Sequence, residues 1–183
     1  MVALDGRGIR LRPPEARDLE GIFSWYNDPE IVAPFDRFAV DAFDEFVRSV
    51  ETAPNDPASL APRFVVETKE PVEVVGVVGH YRPHPVLEFV DVWYVLGQRE
   101  ARGRGYGREA VRLLVDHLFQ TETVARVGAT CDVENVPSIR LLEGLGFQRE
   151  GTLRSALFHH GCWHDVHVYG KVRAGRSSAP SPA

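Results

Sequence analysis

The stretch Ala101–Leu114, ARGRGYGREAVRLL, places Gly103, Gly105 and Gly107 at every second position just ahead of an amphipathic segment. Arg102, Arg104 and Arg108 interleave with them, in a chain that is otherwise acidic. Glycine admits positive φ and lets a bulky anion approach the main chain. The first turn of a helix offers unpaired N–H groups and the positive end of its dipole. The combination, Gly103 through Tyr106 to Gly107, can cradle a pyrophosphate, and the alternative is a glycine-rich turn with solvated arginines. The spacing is not that of a P-loop, GxxxxGK(S/T). Nor is it the dinucleotide fingerprint GxGxxG, which follows the first strand of a βαβ unit.

Other residues could act on a bound ligand. Asn135 and Ser138 are three residues apart, so in a helix they share one face. Asparagine there also suits a helix N-cap, and serine in a first turn can satisfy backbone amides. Glu88 and Asp91 fall in one strand-forming stretch, where alternation sends them to opposite faces. His159, His160, Cys162, His164 and His167 crowd into nine residues. They lack standard zinc spacing, and Gly161 marks a hairpin turn among them, so no metal site is expected.

These motifs resemble the GNAT superfamily of N-acetyltransferases. Arg102-Gly103-Arg104-Gly105-Tyr106-Gly107 is similar to its acyl-CoA loop, and Asn135–Phe147, NVPSIRLLEGLGF, to its second signature, NxxSxxxxExxGF. Trp25–Ile31, Arg149–Arg154 and the segment from Asp165 to Tyr169 resemble the Rim-type branch, whose members acetylate protein N-termini or small amines. The similarity runs from about residue 8 to 172. It implies an α+β fold with a mixed, mostly antiparallel sheet of about seven strands and about four helices. The fourth and fifth strands would splay into a cleft for the pantetheine of acetyl-CoA, the cosubstrate. By position, Val95, Leu96 and Gly97 would pair with pantetheine like a further strand. Arg102–Gly107 would take the pyrophosphate, and Asn135 would hydrogen-bond the cosubstrate.

The implied reaction is attack of an amine on a thioester. It requires an N–H at the oxyanion, a base for the amine and a proton for the leaving thiolate. Many members carry a tyrosine seven residues after the asparagine; here that position is Leu142. In Rim-type members Ser138 would lie near the thiol, so Ser138, or a water it orders, is the acid. By the same resemblance Asp91 would be the base, at a strand position where such members often carry an acidic residue; for Asp91 as for Glu88, the alternative is a solvated carboxylate on an outward face. No Ser-His-Asp arrangement or nucleophile elbow is visible, which implies direct transfer. An α-amine, with pKa near 8, is about a fifth to a third neutral at physiological pH, whereas a lysine amine adds roughly 4 kcal/mol. An α-amine is therefore the easier acceptor. The missing tyrosine leaves an alternative, a catalytically silent acyl-CoA-binding or regulatory module.

The elements that must position these residues follow from periodicity. Strands are predicted at Ile9–Arg12, Arg63–Thr68, Glu73–Tyr81, Val86–Leu96, Ala125–Asp132, Phe147–Phe158 and Asp165–Val172. Leu19, Ile22, Phe23 and Tyr26 stripe one helix, and Phe43, Phe46, Val47 and Val50 another over Val40–Thr52. Further helices are expected at Gly107–Gln120 and Pro137–Glu143, with a proline-rich loop at Pro54–Pro62. Phe43, Trp93 and Trp163 are expected in the core. Residues 1–172 form one domain, and 173–183 have the composition of a disordered tail. The chain has 183 residues and a formal charge of −5, which argues against nucleic acid and for a cationic partner. With two widely spaced cysteines, no apolar leader and no membrane-length apolar run, a cytoplasmic monomer or homodimer is expected.

Overall fold

In the computed structural model, residues 3–32, 42–52, 64–84, 86–121 and 124–175 are described. The β-branched and aromatic runs become β1 (Leu4–Asp5), β2 (Ile9–Arg12), β3 (Phe64–Thr68), β4 (Val74–Tyr81), β5 (Val90–Leu96), β6 (Arg126–Asp132), β7 (Gln148–His159) and β8 (Cys162–Val172). They form one sheet in the order β1-β2-β3-β4-β5-β6-β8-β7, antiparallel except between β5 and β6. The helices are α1 (Ala16–Tyr26), α2 (Pro29–Val32), α3 (Phe43–Thr52), α4 (Tyr106–Thr121) and α5 (Val136–Gly144), with a 3-10 turn at Arg99–Ala101.

Strand alternation divides the core. On one face Val90, Val92 and Tyr94 of β5 pack with Val111, Leu114 and Leu118 of α4 and Leu142 of α5. On the other, Trp93 and Val95 pack with Leu19, Ile22, Trp25 and Tyr26 of α1 and Phe46 of α3. The predicted stripe on α1 is the buried one, because residues three and four apart share a helix face.

Several boundaries differ from expectation. β1 is two residues long, too short for its period to show. β5 begins at Val90 rather than Val86; Val86 and Leu87 are exposed in bends. β8 begins at Cys162 because the hairpin closes through two residues, His160 (φ 50°) and Gly161 (φ 76°). Positive φ at both positions gives the turn whose twist matches the flanking strands. Trp163, expected in the core, is 64% exposed, and Phe43 lies on the surface, whereas Trp93 is half-buried. The proline-rich loop 54–62, the start of the second helix at 40–41 and tail residues 176–183 lie outside the described residues. Arg173 continues the sheet ladder, its N–H donating to Ala125 O at 2.8 Å.

Candidate active site

Parallel pairing between β5 and β6 is confined to Val90↔Val127 and Asp91↔Gly128. Beyond those pairs each strand is held on its outer side only. β4 grips β5 as far as Leu96, and β8 grips β6 as far as Asp132. The strands therefore diverge into a wedge with Asp91 at its vertex, at the expected place. Gly97 N–H donates to Val75 O at 3.0 Å. Ladder alternation then assigns the main-chain groups of Val95 to β4 and turns those of Tyr94 and Leu96 toward the wedge. Of the expected trio, Leu96 faces the cleft with its backbone. Its carbonyl accepts from Arg102 Nη2 at 3.3 Å. Gly97 is small for a different reason: a Cβ there would fall 1.9 Å from the Trp25 ring.

The Gly/Arg loop joins this strand end to α4. Gly103 and Gly105 adopt φ of +75° and +86°, and a Cβ on either would meet no protein atom within 4 Å. Both line an open surface beside the first, unpaired amides of α4, as a phosphate cradle requires. Gly107 is instead buried, where a Cβ would sit 3.1 Å from Leu96 Cδ1; its smallness lets the helix start pack on β5. A hollow of about 210 Å³ at this helix end is lined by Arg7, Gly105, Arg108 and Arg112, with Glu109 and Leu145. The Glu109 carboxylate is engaged by the amides of Arg7 and Gly8. A larger hollow of about 520 Å³ on the other side of the loop is lined by Glu73 and Glu100 as well as Arg104. The smaller one is the better match for a polyphosphate, because three arginines line it and its one carboxylate, Glu109, is held by main-chain amides; Arg112 is shared with Asp116 at 3.2 Å. Arg104 stacks on Tyr106, 5.1 Å from the ring centre.

Asn135 caps α5, its Oδ1 accepting from Ser138 N at 3.1 Å. That bond fixes the first turn and turns the Ser138 hydroxyl toward β5, where it meets Tyr94 Oη at 2.5 Å. Ser138 also hydrogen-bonds the Cys131 thiol of β6, which burial pushes up to about 11. Burial likewise raises Tyr94 well above an ordinary phenol. Tyr94, Ser138 and Cys131 thus bridge the two walls of the wedge with three protonated groups. Leu142 is fully buried in the core. Tyr94 escaped the sequence reading because its partner lies 44 residues away.

Asp91 faces the opposite side of the sheet, by alternation with Tyr94. Its Oδ1 lies over Gly128, where a Cβ would come within 2.1 Å. Burial raises its pKa above the usual carboxylate value, and Arg126 pulls partly the other way. Glu88 precedes the strand and is exposed, so alternation does not govern it. The two expected catalytic residues therefore flank the wedge from opposite faces. His167 lies on the Tyr94 side, bonded to Thr152 Oγ1 at 2.9 Å.

Comparison with known proteins agrees with this geometry. Residues 9–148 match the acetyltransferase (GNAT) domain, and the chain belongs to that family of acetyltransferases, with acetyl-CoA as cosubstrate. It is 29% identical over 170 residues to the uncharacterized N-acetyltransferase p20 of Bacillus licheniformis, covering 90% of this chain and 93% of that one. A Rim-type relative, the ribosomal-protein-serine acetyltransferase of Escherichia coli, is 28% identical over 100 residues, 55% of either chain. The spermidine N-acetyltransferase of Vibrio cholerae, solved with CoA and spermine, superposes with a TM-score of 0.79 at 24% identity, over 90% of this chain and 95% of that one. No described helix is long and apolar enough to cross a membrane.

Proposed function

We propose that the chain transfers acetyl directly from acetyl-CoA to an α-amine, with Asp91 as base and Ser138, backed by Tyr94, as the proton source. The observation that carries this reading is the wedge itself, flanked by a half-buried carboxylate on one face and a bonded hydroxyl pair on the other. The amine approaches on the Asp91 face and gives up its proton there. The thiolate leaves toward the Ser138 face, where a hydroxyl in a water-poor cleft stabilises the developing charge. The raised Asp91 is a stronger base than a free carboxylate. It remains weak against a lysine amine, so an α-amine is favoured. Cys131, at about 11, is a protonated thiol at neutral pH and so a poor candidate for an acyl-enzyme nucleophile. Tyr94 supplies the phenol missing at position 142, which weakens the alternative of a silent acyl-CoA module. The unpaired cysteines suit the reducing cytoplasm.

The test is an acceptor panel with acetyl-CoA, comprising N-terminal peptides, free amino acids, polyamines and lysine side chains on N-terminally blocked peptides. Thiol release and mass spectrometry are the readouts. Release that requires a free α-amine, with the acetyl on that nitrogen, is expected. Turnover confined to polyamines or lysine side chains would overturn the acceptor, and CoA binding without turnover on any amine would overturn the catalytic reading.

A further inference from the structure

The histidine-rich hairpin carries an arrangement invisible in its spacing. Asp132, the last residue of β6, is 2% exposed. Its Oδ1 accepts from Glu134 N at 2.6 Å. Its Oδ2 meets His159 Nε2 at 2.7 Å and lies 3.5 Å from His164 Nδ1. The imidazoles of His159 and His164 stack with centres 3.6 Å apart and planes 17° apart. Each also has a partner for its far nitrogen. His159 Nδ1 meets His160 Nδ1 at 3.0 Å, and His164 Nε2 meets Cys162 Sγ at 3.0 Å. When the far nitrogens donate those bonds, Nε2 of His159 and Nδ1 of His164 turn lone pairs toward the carboxylate.

We propose that Asp132 Oδ2, His159 Nε2 and His164 Nδ1 form a divalent-metal site of the zinc type, with Glu134 in reach as a fourth ligand. Three reasons converge. The three donor atoms lie within 4.8 Å of one another, and a zinc with ligands at about 2.0–2.1 Å needs neighbouring donors roughly 3.3 Å apart; because an imidazole binds a metal near its own plane, the stacked rings must fan apart by side-chain rotation to share the ion. A buried carboxylate is stabilised by hydrogen bonds and, when charged, by a nearby cation. Among the described residues its ion-pair partners are these two imidazoles, which carry charge only when protonated. A divalent ion supplies a fixed positive charge and is bound through the imidazole lone pairs. Finally, bonds from the far nitrogens to His160 and Cys162 fix ring orientation, the usual support for metal-binding histidine. Glu134 Oε2 lies 3.7 Å from His164 Nδ1 on the solvent side. The site would pin the hairpin tip to the end of β6, on the face that Asp91 shares.

The full chain, freed of metal with a chelator, is titrated with Co²⁺ at neutral pH and then with Zn²⁺. One equivalent of cobalt with the intense visible bands of four-coordinate geometry is expected, displaced by equimolar zinc. Zinc should raise the melting temperature and a chelator should reverse the gain. His164→Ala and His159→Ala should each weaken binding roughly tenfold or more, whereas His84→Ala, in a surface turn, should leave it unchanged. Cys162→Ser should keep the bands, since its sulfur lies outside the coordination sphere. A sulfur-to-cobalt charge-transfer band lost in Cys162→Ser would overturn the ligand set. Wild type that binds no stoichiometric cobalt, or only six-coordinate cobalt indifferent to His164→Ala, would overturn the site, whatever the variants' folding.

Discussion

Tyr94 and Ser138 form the chemically richest contact in the wedge, and neither residue is informative alone. A serine hydroxyl is a poor acid in water; beside a buried phenol in a cleft it can relay a hydrogen bond to a thiolate. Ser138→Ala should lower kcat on the order of tenfold to a hundredfold, with CoA affinity little changed. Tyr94→Phe should lose a similar amount, and the double variant no more than the worse single one, because coupled residues are not additive. Steady-state kinetics beside direct CoA titration read both quantities; single losses under about twofold would assign the proton to water. Asp91, the proposed base, lies on the other face. Because its folded pKa is raised, kcat/KM should climb as pH rises through a value above the ordinary 3.8. Asp91→Asn should abolish that acidic limb and lower kcat by roughly a hundredfold or more. Ionising a carboxylate of raised pKa weakens the fold as pH rises through that value. The Asn variant should therefore melt no lower than wild type at neutral pH, which separates a catalytic loss from a structural one.

At the scale of elements, the wedge depends on how firmly the sheet and α1 are locked. Arg12, at the end of β2, ties β3 to the start of α1. Its Nη1 reaches Asp18 Oδ2 at 2.7 Å and its Nε reaches Glu67 Oε1 at 2.8 Å. The Asp18 side chain is 4% exposed. Burial pushes its pKa up, but the bonds from Arg12 and the Glu15 amide outweigh it and leave a net lowering. A lowered carboxylate stabilises the fold above its unfolded value, near 3.8, and loses that contribution as pH falls through the folded value. Arg12→Ala leaves two carboxylates without their cation and should cost about 3–5 kcal/mol in urea unfolding at neutral pH. The deficit should shrink in acid as Asp18 is protonated. An unchanged midpoint would reduce the network to surface decoration. The same α1 sets the floor of β5, since Trp25 occupies the space that any side chain at position 97 would need.

At the scale of the molecule, the sheet is continuous except where β5 and β6 part, so a ligand bridging them should stabilise the whole. CoA at a hundredfold over its Kd should add about 2.7 kcal/mol and raise the melting temperature accordingly. Gly105→Val should cancel that shift by obstructing the pyrophosphate. It should lower the ligand-free melting temperature by the local strain of positive φ, about 1–3 kcal/mol, but add no clash, because its Cβ meets no protein atom. A preserved CoA shift in the folded variant would move the phosphate elsewhere.

The elements and the turn-forming glycines of the Gly/Arg loop were legible in the sequence because their causes are local. Helical stripes, alternating strands, the Gly103-to-Gly107 turn and the Gly161 hairpin each depend on residues within a few positions. The likeness of Arg102–Gly107 and Asn135–Phe147 to the GNAT motifs then implied the splayed cleft. What only the tertiary structure decided is which side chains converge. Tyr94 meets Ser138 across 44 residues, and Asp132 meets His159 across 27. Such contacts are set by which strands become neighbours and by their register, here the single parallel pairing of β5 with β6. They leave no periodic trace in the chain. The exposure of Trp163 has the same origin, since an aromatic residue is buried only where another element covers its face.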